Sequence, residues 1–151
     1  MELSRFTDYA LRVLMYTAAR ANEKVTLREL ADAYRISHHH LVKIVHRLGT
    51  LGYLRNQRGR SGGILLGRAP EDIRVGDVVR HTETHFNLVE CFDAHHDICR
   101  ISSACQLKGA LFEARDAFLR VLDAYTVADL VQNRRGILRL VQPNHVAVNV
   151  T

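Results

Sequence analysis

The sequence has few of the features that mark secreted, membrane-spanning or catalytic proteins. It has only three cysteines in 151 residues, and an odd number of thiols argues against a secreted fold held by disulfides. No apolar run approaches the length of a membrane span, and the first residues are not an apolar signal stretch. A Ser/His/Asp grouping, a phosphate-binding loop and a paired-carboxylate motif are also missing. We therefore expect a cytoplasmic protein that is not an enzyme and has no membrane partner.

Acidic residues are scarce in the first part of the chain. Residues 1–68 carry 12 Lys and Arg against 5 Asp and Glu, a formal net charge of +7, whereas residues 69–151 carry 9 against 11, or −2. A basic N-terminal half favours a polyanionic partner at that end of the chain. A merely solvated basic surface is the alternative.

Two short amphipathic helices joined by a tight turn are predicted in the basic part. Thr26 and Glu29 have the spacing of a capping box, and Ser37 is the expected N-cap of the next helix. That helix is apolar on one face and basic on the other, which carries His39, Lys43, His46 and Arg47. The pair predicts a helix-turn-helix unit whose second helix enters the major groove of DNA. Any small helical bundle is the generic alternative.

A basic, glycine-rich hairpin follows the helix pair. Residues 52–55 and 64–66 are predicted strands, and the segment between them holds three glycines with Arg58 and Arg60. Such a hairpin directly after a helix-turn-helix is typical of a winged helix, whose arginines reach phosphates or the minor groove. The candidate DNA contacts are Ser37, His39 and Lys43 in the groove, Arg47 on the backbone, and Arg58 and Arg60 in the wing.

All three cysteines lie in one polar stretch. Seven residues separate Cys91 from Cys99, and five separate Cys99 from Cys105. Thiols this close can converge on one centre, and thiolates select soft metals, as in iron–sulfur clusters and zinc sites. His95 and His96 offer a Cys/His zinc site; otherwise we expect both histidines to face solvent. A mobile loop with incidental thiols is the remaining alternative.

The longest regular pattern follows the cysteines. Its apolar residues are spaced alternately by four and three positions, as in a heptad seam: Leu107, Leu111, Ala114, Phe118, Val121 and Tyr125. The seam is too short for a free-standing coiled coil. We predict a dimerisation helix, which suits a helix-turn-helix protein that reads two half-sites. An intramolecular core helix is the alternative.

The patterns divide the chain into four parts, and the predicted fold class is mainly α with a small β wing. The parts are a winged helix-turn-helix domain (1–82), a cysteine-bearing loop (83–105), a dimerisation helix region (106–131) and a C-terminal tail (132–151). Thr7 is the predicted N-cap of the first helix, with Asp8 in its first turn. A short helix is predicted at residues 127–131. The tail alternates valines with polar residues from position 146, as a strand or an unordered segment.

Several motifs, in this order, resemble a bacterial family of winged-helix regulators that carry an iron–sulfur cluster, and within it the repressors that sense nitric oxide. The motifs are FTDYALR at 6–12, LVKI at 41–44, RG at 58–59, GGI at 62–64, the three cysteines, and AYTVADL at 124–130. The resemblance covers residues 1–131. It implies a homodimer that binds a near-palindromic DNA operator and releases it when nitric oxide attacks the cluster.

The resemblance also implies a set of ligands. Cys91, Cys99 and Cys105 match the three cluster thiolates, although the first interval is wider than is usual in the family. Asp8 matches a fourth ligand supplied by the opposite subunit; without the resemblance, its expected roles are stabilising the helix start and pairing with Arg12. The expected cofactor is a [4Fe–4S] cluster, with [2Fe–2S] as the alternative.

A sibling group, the IscR-type regulators, resembles the chain less well. That group has a histidine ligand three residues after the last cysteine, where this chain has Lys108. A lysine ammonium does not ligate iron. The alternatives in function are therefore an IscR-like regulator that senses iron–sulfur or redox status, and a zinc-bearing winged-helix regulator.

Overall fold

A computed structural model describes residues 2–21, 23–57, 59, 62–93 and 95–141. Within these residues, helices account for most of the regular structure and one antiparallel hairpin forms the only sheet. The elements are α1 (Arg5–Ala19), α2 (Leu27–Tyr34), α3 (His38–Thr50), β1 (Leu54–Gln57), β2 (Gly63–Leu66), α4 (Val75–Thr82), α5 (Gln106–Asp123), α6 (Val127–Leu130) and α7 (Arg134–Val141). The predicted fold class is confirmed. None of the helices in the described residues has the length and apolar character needed to cross a bilayer.

Helix α1 begins earlier than the sequence predicts. Ser4, not Thr7, is the N-cap, and its hydroxyl accepts a hydrogen bond from the Thr7 N–H (3.2 Å). Thr7 is fully buried, and its hydroxyl donates to Thr82 Oγ1 of α4 (2.9 Å). The prediction of Thr7 as N-cap is wrong because two hydroxyl residues lie near this helix start and the second is needed inside, where its polar group has a buried partner. Asp8 does lie in the first turn.

Helices α2 and α3 form the predicted helix-turn-helix. The capping box is confirmed, since Thr26 accepts from the Glu29 N–H and Glu29 accepts from the Thr26 N–H. Ser37 caps α3 by accepting from the His40 N–H (3.4 Å). The chain turns between the helices at Arg35, which adopts a left-handed conformation (φ 54°). The apolar face of α3 lies in the core through Leu41, Ile44, Val45 and Leu48.

Strands β1 and β2 form the wing. They pair antiparallel, with Leu54 opposite Leu66. Strand β1 begins two residues later than predicted because Gly52 has a positive φ (74°) and belongs to the turn after α3. Val25 extends the hairpin by two backbone hydrogen bonds with Ile64 (3.0 and 2.8 Å), which joins the wing to the segment before α2. Arg58 and Arg60 lie outside the described residues.

After α5 the chain returns to the winged-helix head, defined here as α1 to α4 with the wing. The Val127 N–H donates to the Ile73 carbonyl and the Val75 N–H to the Tyr125 carbonyl, both at 2.9 Å. Val127 is fully buried in the core of the head. The short helix predicted at 127–131 is confirmed as α6.

Helix α7 was not predicted. Asn133 accepts a hydrogen bond from the Gly136 N–H (3.1 Å) at its start, and Leu138 and Val141 pack against the core. Glycine is unfavourable inside a helix, so Gly136 weakens the helical signal of this segment. The tail from residue 142 lies outside the described residues, so the prediction for its valines is not tested. The four-part domain division likewise stays a prediction.

Candidate metal loop and nucleic-acid interface

The outer face of α3 carries the residues predicted to enter the DNA groove. His39 and Lys43 are exposed, and Ser37 lies at the N-terminal end of the helix. A cleft of about 150 Å³ between α1 and α3 has three basic side chains in its lining, those of Arg5, His40 and Lys43. Arg5 and His40 were missed by sequence reasoning. The run of three histidines that opens α3 was a usable signal for His40, whereas nothing in the sequence placed Arg5 beside α3.

Arg47 is exposed, yet it is engaged within the chain. Its Nη2 donates to the backbone carbonyl of His81 (3.1 Å), at the end of α4. The Tyr53 hydroxyl, at the start of the wing, lies 2.8 Å from His81 Nδ1. Burial raises the pKa of Tyr53, so the phenol keeps its proton. His81 therefore joins α3, the wing and α4, and the predicted phosphate contact of Arg47 would use its remaining N–H groups.

The other side of α4 is joined to α5. The Arg80 guanidinium donates to both carboxylate oxygens of Asp123 (2.6 and 2.7 Å), and Arg74 donates to the Asp123 carbonyl (2.9 Å). The Arg80 hydrogen bonds hold the pKa of Asp123 below the usual carboxyl range. Gly76 permits this close approach, since a Cβ built there would lie 1.9 Å from Asp123 Oδ1. Helix α4 thus contacts α3 through His81 and the end of α5 through Arg80.

The three cysteines lie on the loop between α4 and α5. Cys91 is in a 3₁₀ turn (Glu90–Phe92), Cys99 is in the loop, and Cys105 is the residue directly before α5. All three thiols are free and half-buried. Next to Cys91, the Phe92 ring stacks on Phe112 of α5 with centroids 4.0 Å apart. This stacking fixes the first cysteine's turn to the helix.

The second half of the loop is held by a polar cluster of Asp97, Ser102 and Lys108, which we call the loop clamp. Asp97 Oδ1 accepts from the Cys99 N–H (3.1 Å), and Oδ2 accepts from the Ser102 hydroxyl and from Lys108 Nζ (3.1 Å). Lys108 Nζ also donates to Ser102 Oγ (2.6 Å). The hydrogen bond from Ser102, followed by the lysine, lowers the pKa of Asp97.

The donor set suits a soft metal, but the structure does not bring the three cysteines together into one group. Free, half-buried thiols are the ligands that iron–sulfur clusters and zinc take. Across the described residues, however, no three His, Cys, Asp or Glu side chains are grouped so that they could hold a metal ion. Asp8 lies on α1 and is paired with Arg12 through two contacts of 2.9 and 2.8 Å. The pair expected for Asp8 is therefore confirmed, whereas its contact with a metal is not tested.

The two loop histidines are exposed, as predicted. His96 Nδ1 lies 2.8 Å from Asp93 Oδ2, and the Asp93 carboxylate also accepts from the His95 N–H (2.9 Å). These contacts stay within the turn, so the histidines order the surface of the loop.

Comparisons with known proteins agree on the family. The Rrf2 family, described as "Iron-dependent Transcriptional regulator", matches residues 3–133. A relative from Bacillus subtilis (strain 168), named HTH-type transcriptional regulator NsrR, is 52% identical over 143 residues, which are 94% of this chain and 98% of the relative. A protein of the same name from Geobacillus kaustophilus (strain HTA426) is 50% identical over 143 residues, 94% of this chain and 97% of the relative.

Solved structures agree on the fold. The structure of CymR, the global cysteine regulator of B. subtilis, matches with a TM-score of 0.70 and 25% identity over 88% of this chain and 98% of that one. IscR of T. potens has the same fold, with a TM-score of 0.69 and 24% identity over 88% of each chain. Together with the helix-turn-helix and wing described above, these matches show that the chain belongs to the Rrf2 family, as a DNA-binding transcriptional regulator and not an enzyme.

Proposed function

We propose that this protein is a homodimeric repressor that holds an iron–sulfur cluster and releases its operator DNA in response to nitric oxide. The resemblance to nitric-oxide-sensing repressors supports this, as do the relatives named NsrR, which are 40–52% identical over 93–94% of the chain. The observation that carries the proposal is the set of three free, half-buried thiols on one loop between α4 and α5. The cytoplasmic location and the four-part division belong to the same proposal.

Cys91, Cys99 and Cys105 would bind the cluster as thiolates, and a [4Fe–4S] cluster is our first choice over [2Fe–2S]. Asp8 of the partner subunit would complete the ligand set. Among the described residues of a single chain the three cysteines do not form a metal-binding group, so cluster binding would have to draw them together. When bound, the cluster supplies iron atoms that react with nitric oxide.

Helix α5 supplies the dimer contact. Every residue of α5 is described, and none is fully buried. Of the seam residues, Leu107 is 64% exposed and Val121 is 59% exposed. Apolar side chains repeated along one exposed helix face favour a second copy of the chain as the partner. The intramolecular core helix is disfavoured because four of the six seam residues are exposed, while Leu111 and Phe118 are half-buried.

Contacts within the chain connect Asp8 to α3. Arg12, the partner of Asp8, lies over the Tyr9 ring (5.8 Å to the centroid), and Tyr9 lies 6.5 Å from the His40 ring of α3. A bond between Asp8 and the opposite protomer would tie each head to the other subunit. Its loss frees the heads to change their spacing on DNA, and about 1.4 kcal/mol of differential binding gives a tenfold loss of affinity.

The test is anaerobic purification followed by a visible spectrum and counts of iron and sulfide per chain. We expect a coloured protein, with both counts lost in Cys91→Ala and retained in the matched control His95→Ala. Asp8→Ala should keep the thiolate-bound iron but weaken operator binding. A colourless protein with no iron would overturn the proposal.

The alternative functions are separate outcomes of the same measurement. Zinc in place of iron, lost in both Cys91→Ala and His95→Ala, would favour the zinc-bearing regulator. An iron–sulfur protein whose operator affinity does not change when nitric oxide is added would favour an IscR-like regulator. The engagement of Lys108 with Asp97 and Ser102 argues against the latter, since position 108 is a ligand in that group and a loop contact here.

A further inference from the structure

We propose that the loop clamp of Asp97, Ser102 and Lys108 is a positioning device that presets Cys99 and Cys105 for the metal centre and slows the loss of that centre. The proposal rests on the proposed function, because it concerns the same three thiols. It assigns roles to three residues that are not among the expected ligands; of these, sequence analysis singled out only Lys108, and only as a residue that does not ligate iron.

The clamp closes a ring of chain around two of the three cysteines. Asp97 lies two residues before Cys99, and Lys108 lies three residues after Cys105, in the first turn of α5. The contact of Lys108 Nζ with Asp97 Oδ2 (3.1 Å) therefore joins the two ends of the segment that carries both thiols. A closed segment has lost part of its conformational freedom before a ligand binds, and this reduces the entropic cost of binding.

The clamp also acts on the backbone next to each thiol. Asp97 Oδ1 accepts from the Cys99 N–H, which fixes the peptide that leads into the second cysteine. Ser102 begins the 3₁₀ turn Ser102–Ala104 that ends at Cys105, and its hydroxyl is bonded to both other members of the clamp. Both cysteines are thus held by groups that a metal does not need as ligands.

The position of Lys108 supports a specific role over an incidental surface pair. A cation in the first turn of a helix opposes the helix dipole, and α5 has no acidic residue in that turn. Lys108 is therefore unfavourable there without the Asp97 carboxylate. Only 24% of the Lys108 side chain and 19% of the Asp97 side chain are exposed, so the pair is partly shielded from solvent. Charge-assisted bonds of this kind are stronger than those of exposed ion pairs.

Cys91 lies outside the ring. Its turn is fixed instead by the stacking of Phe92 on Phe112, with the Arg115 guanidinium 4.6 Å from the Phe112 centroid. Loss of the clamp should therefore loosen residues 97–108 and leave the turn at Cys91 unchanged. A change confined to residues 97–108 therefore distinguishes the loss of the clamp from a general loosening of the loop.

The test uses Lys108→Met, which keeps the unbranched stem of the side chain and removes the ammonium group, together with Ser102→Ala. Arg120→Gln removes an exposed charge from the same helix and is the matched control; Lys108→Arg keeps a cation and should rescue. In the metal-free full chain we expect amide exchange in residues 97–108 to accelerate by about tenfold in Lys108→Met, the change given by roughly 1.4 kcal/mol of local opening. Exchange in α1–α3 reports whether the variant is folded.

The same variants are then loaded with the cluster anaerobically, and the release of iron to a chelator is timed. Faster release in Lys108→Met and Ser102→Ala, with Arg120→Gln and Lys108→Arg close to wild type, is the expected result. If both clamp variants release iron at the wild-type rate, the proposed role of the clamp is overturned, even if amide exchange is faster. The proposed function is then unaffected. A wild-type chain that takes up no cluster would instead overturn the proposed function, and this proposal with it.

Discussion

The head and the cysteine loop with α5 are stabilised in different ways. The head is built around fully buried apolar side chains, among them Leu14, Leu30 and Leu41. The loop and α5, all described except Ala94, contain no fully buried side chain, and polar or aromatic contacts hold them in place. The head therefore has a buried apolar core, which Val127 of α6 completes, whereas the loop and α5 depend on surface contacts.

The largest effect should follow from opening the core of the head. Leu41 of α3 is fully buried, and replacing it with alanine leaves a cavity that costs about 2–5 kcal/mol. Denaturant unfolding of Leu41→Ala should show this loss, together with a loss of DNA binding. Leu140→Ala, at an exposed leucine of α7, is the matched control. Equal losses in the two variants would contradict the importance of the buried core of the head.

The next effect should come from the junction between the two regions. Gly76→Ala places a methyl group where Asp123 Oδ1 now lies, and such overpacking costs about 1–3 kcal/mol. We expect a lower thermal midpoint and a weaker response of DNA affinity to the cluster, because α4 can no longer keep its contact with α5. Ala110→Gly, on the exposed face of α5, is a useful comparison, since it alters a helix without touching the junction. An unchanged midpoint in Gly76→Ala would show that the close approach is unimportant.

A seam substitution should separate assembly from folding. Leu107→Glu puts a charge into the exposed apolar seam and should shift the dimer toward monomer in analytical ultracentrifugation. The stability of the monomer should change by no more than about 0.5 kcal/mol, as for most surface substitutions. Arg120 is not a seam residue, so Arg120→Gln should leave the association unchanged. A Leu107→Glu protein that stays fully dimeric would remove α5 from the interface.

A basic residue on α3 should report on DNA contact. Lys43→Gln removes one exposed charge, and the slope of log affinity against log salt should fall by about 1 if that charge neutralises a phosphate. If Lys43 instead reads a base, affinity should fall with less change in slope. An unaltered affinity and slope would exclude Lys43 from the interface.

The smallest expected effect is a loss of folding stability at low pH. The pKa of Asp123 is lowered by its bonds with Arg80, so the pair stabilises the fold at neutral pH and loses its contribution as the pH falls through the lowered pKa. The unfolding free energy of the wild type should therefore decline more steeply than that of Asp123→Asn between roughly pH 5 and pH 2. Parallel curves for the two proteins would mean that the pair contributes nothing to stability.

The sequence predicted the head well because local rules determine much of it. The capping box at Thr26 and the apolar face of α3 follow from short-range spacing, and both are confirmed. The start of α1 was wrong because Thr7 is used by a distant partner, Thr82, which no local pattern reveals. Helix α7 was missed for the related reason that its packing on the core outweighs an unfavourable glycine.

For the cysteine loop and α5, the sequence predicts functions but not contacts. The cysteine spacing predicts a metal loop and the heptad pattern predicts a dimerisation helix, and both stay predictions. The loop clamp joins Asp97, Ser102 and Lys108 at intervals that match neither a helix nor a strand, so periodicity could not find it. The contact of Arg47 with the His81 carbonyl could not be predicted either, because every residue has a backbone carbonyl and the sequence does not show which one is used.

Operator affinity and iron content should be measured on the same anaerobic sample, before and after nitric oxide is added. If the thiols of one chain hold an iron–sulfur centre that controls DNA binding, the protein is coloured and its affinity falls at least tenfold, about 1.4 kcal/mol, as the iron–sulfur spectrum disappears. An iron-free protein that binds and releases the operator just as well would rule out this role for the thiols.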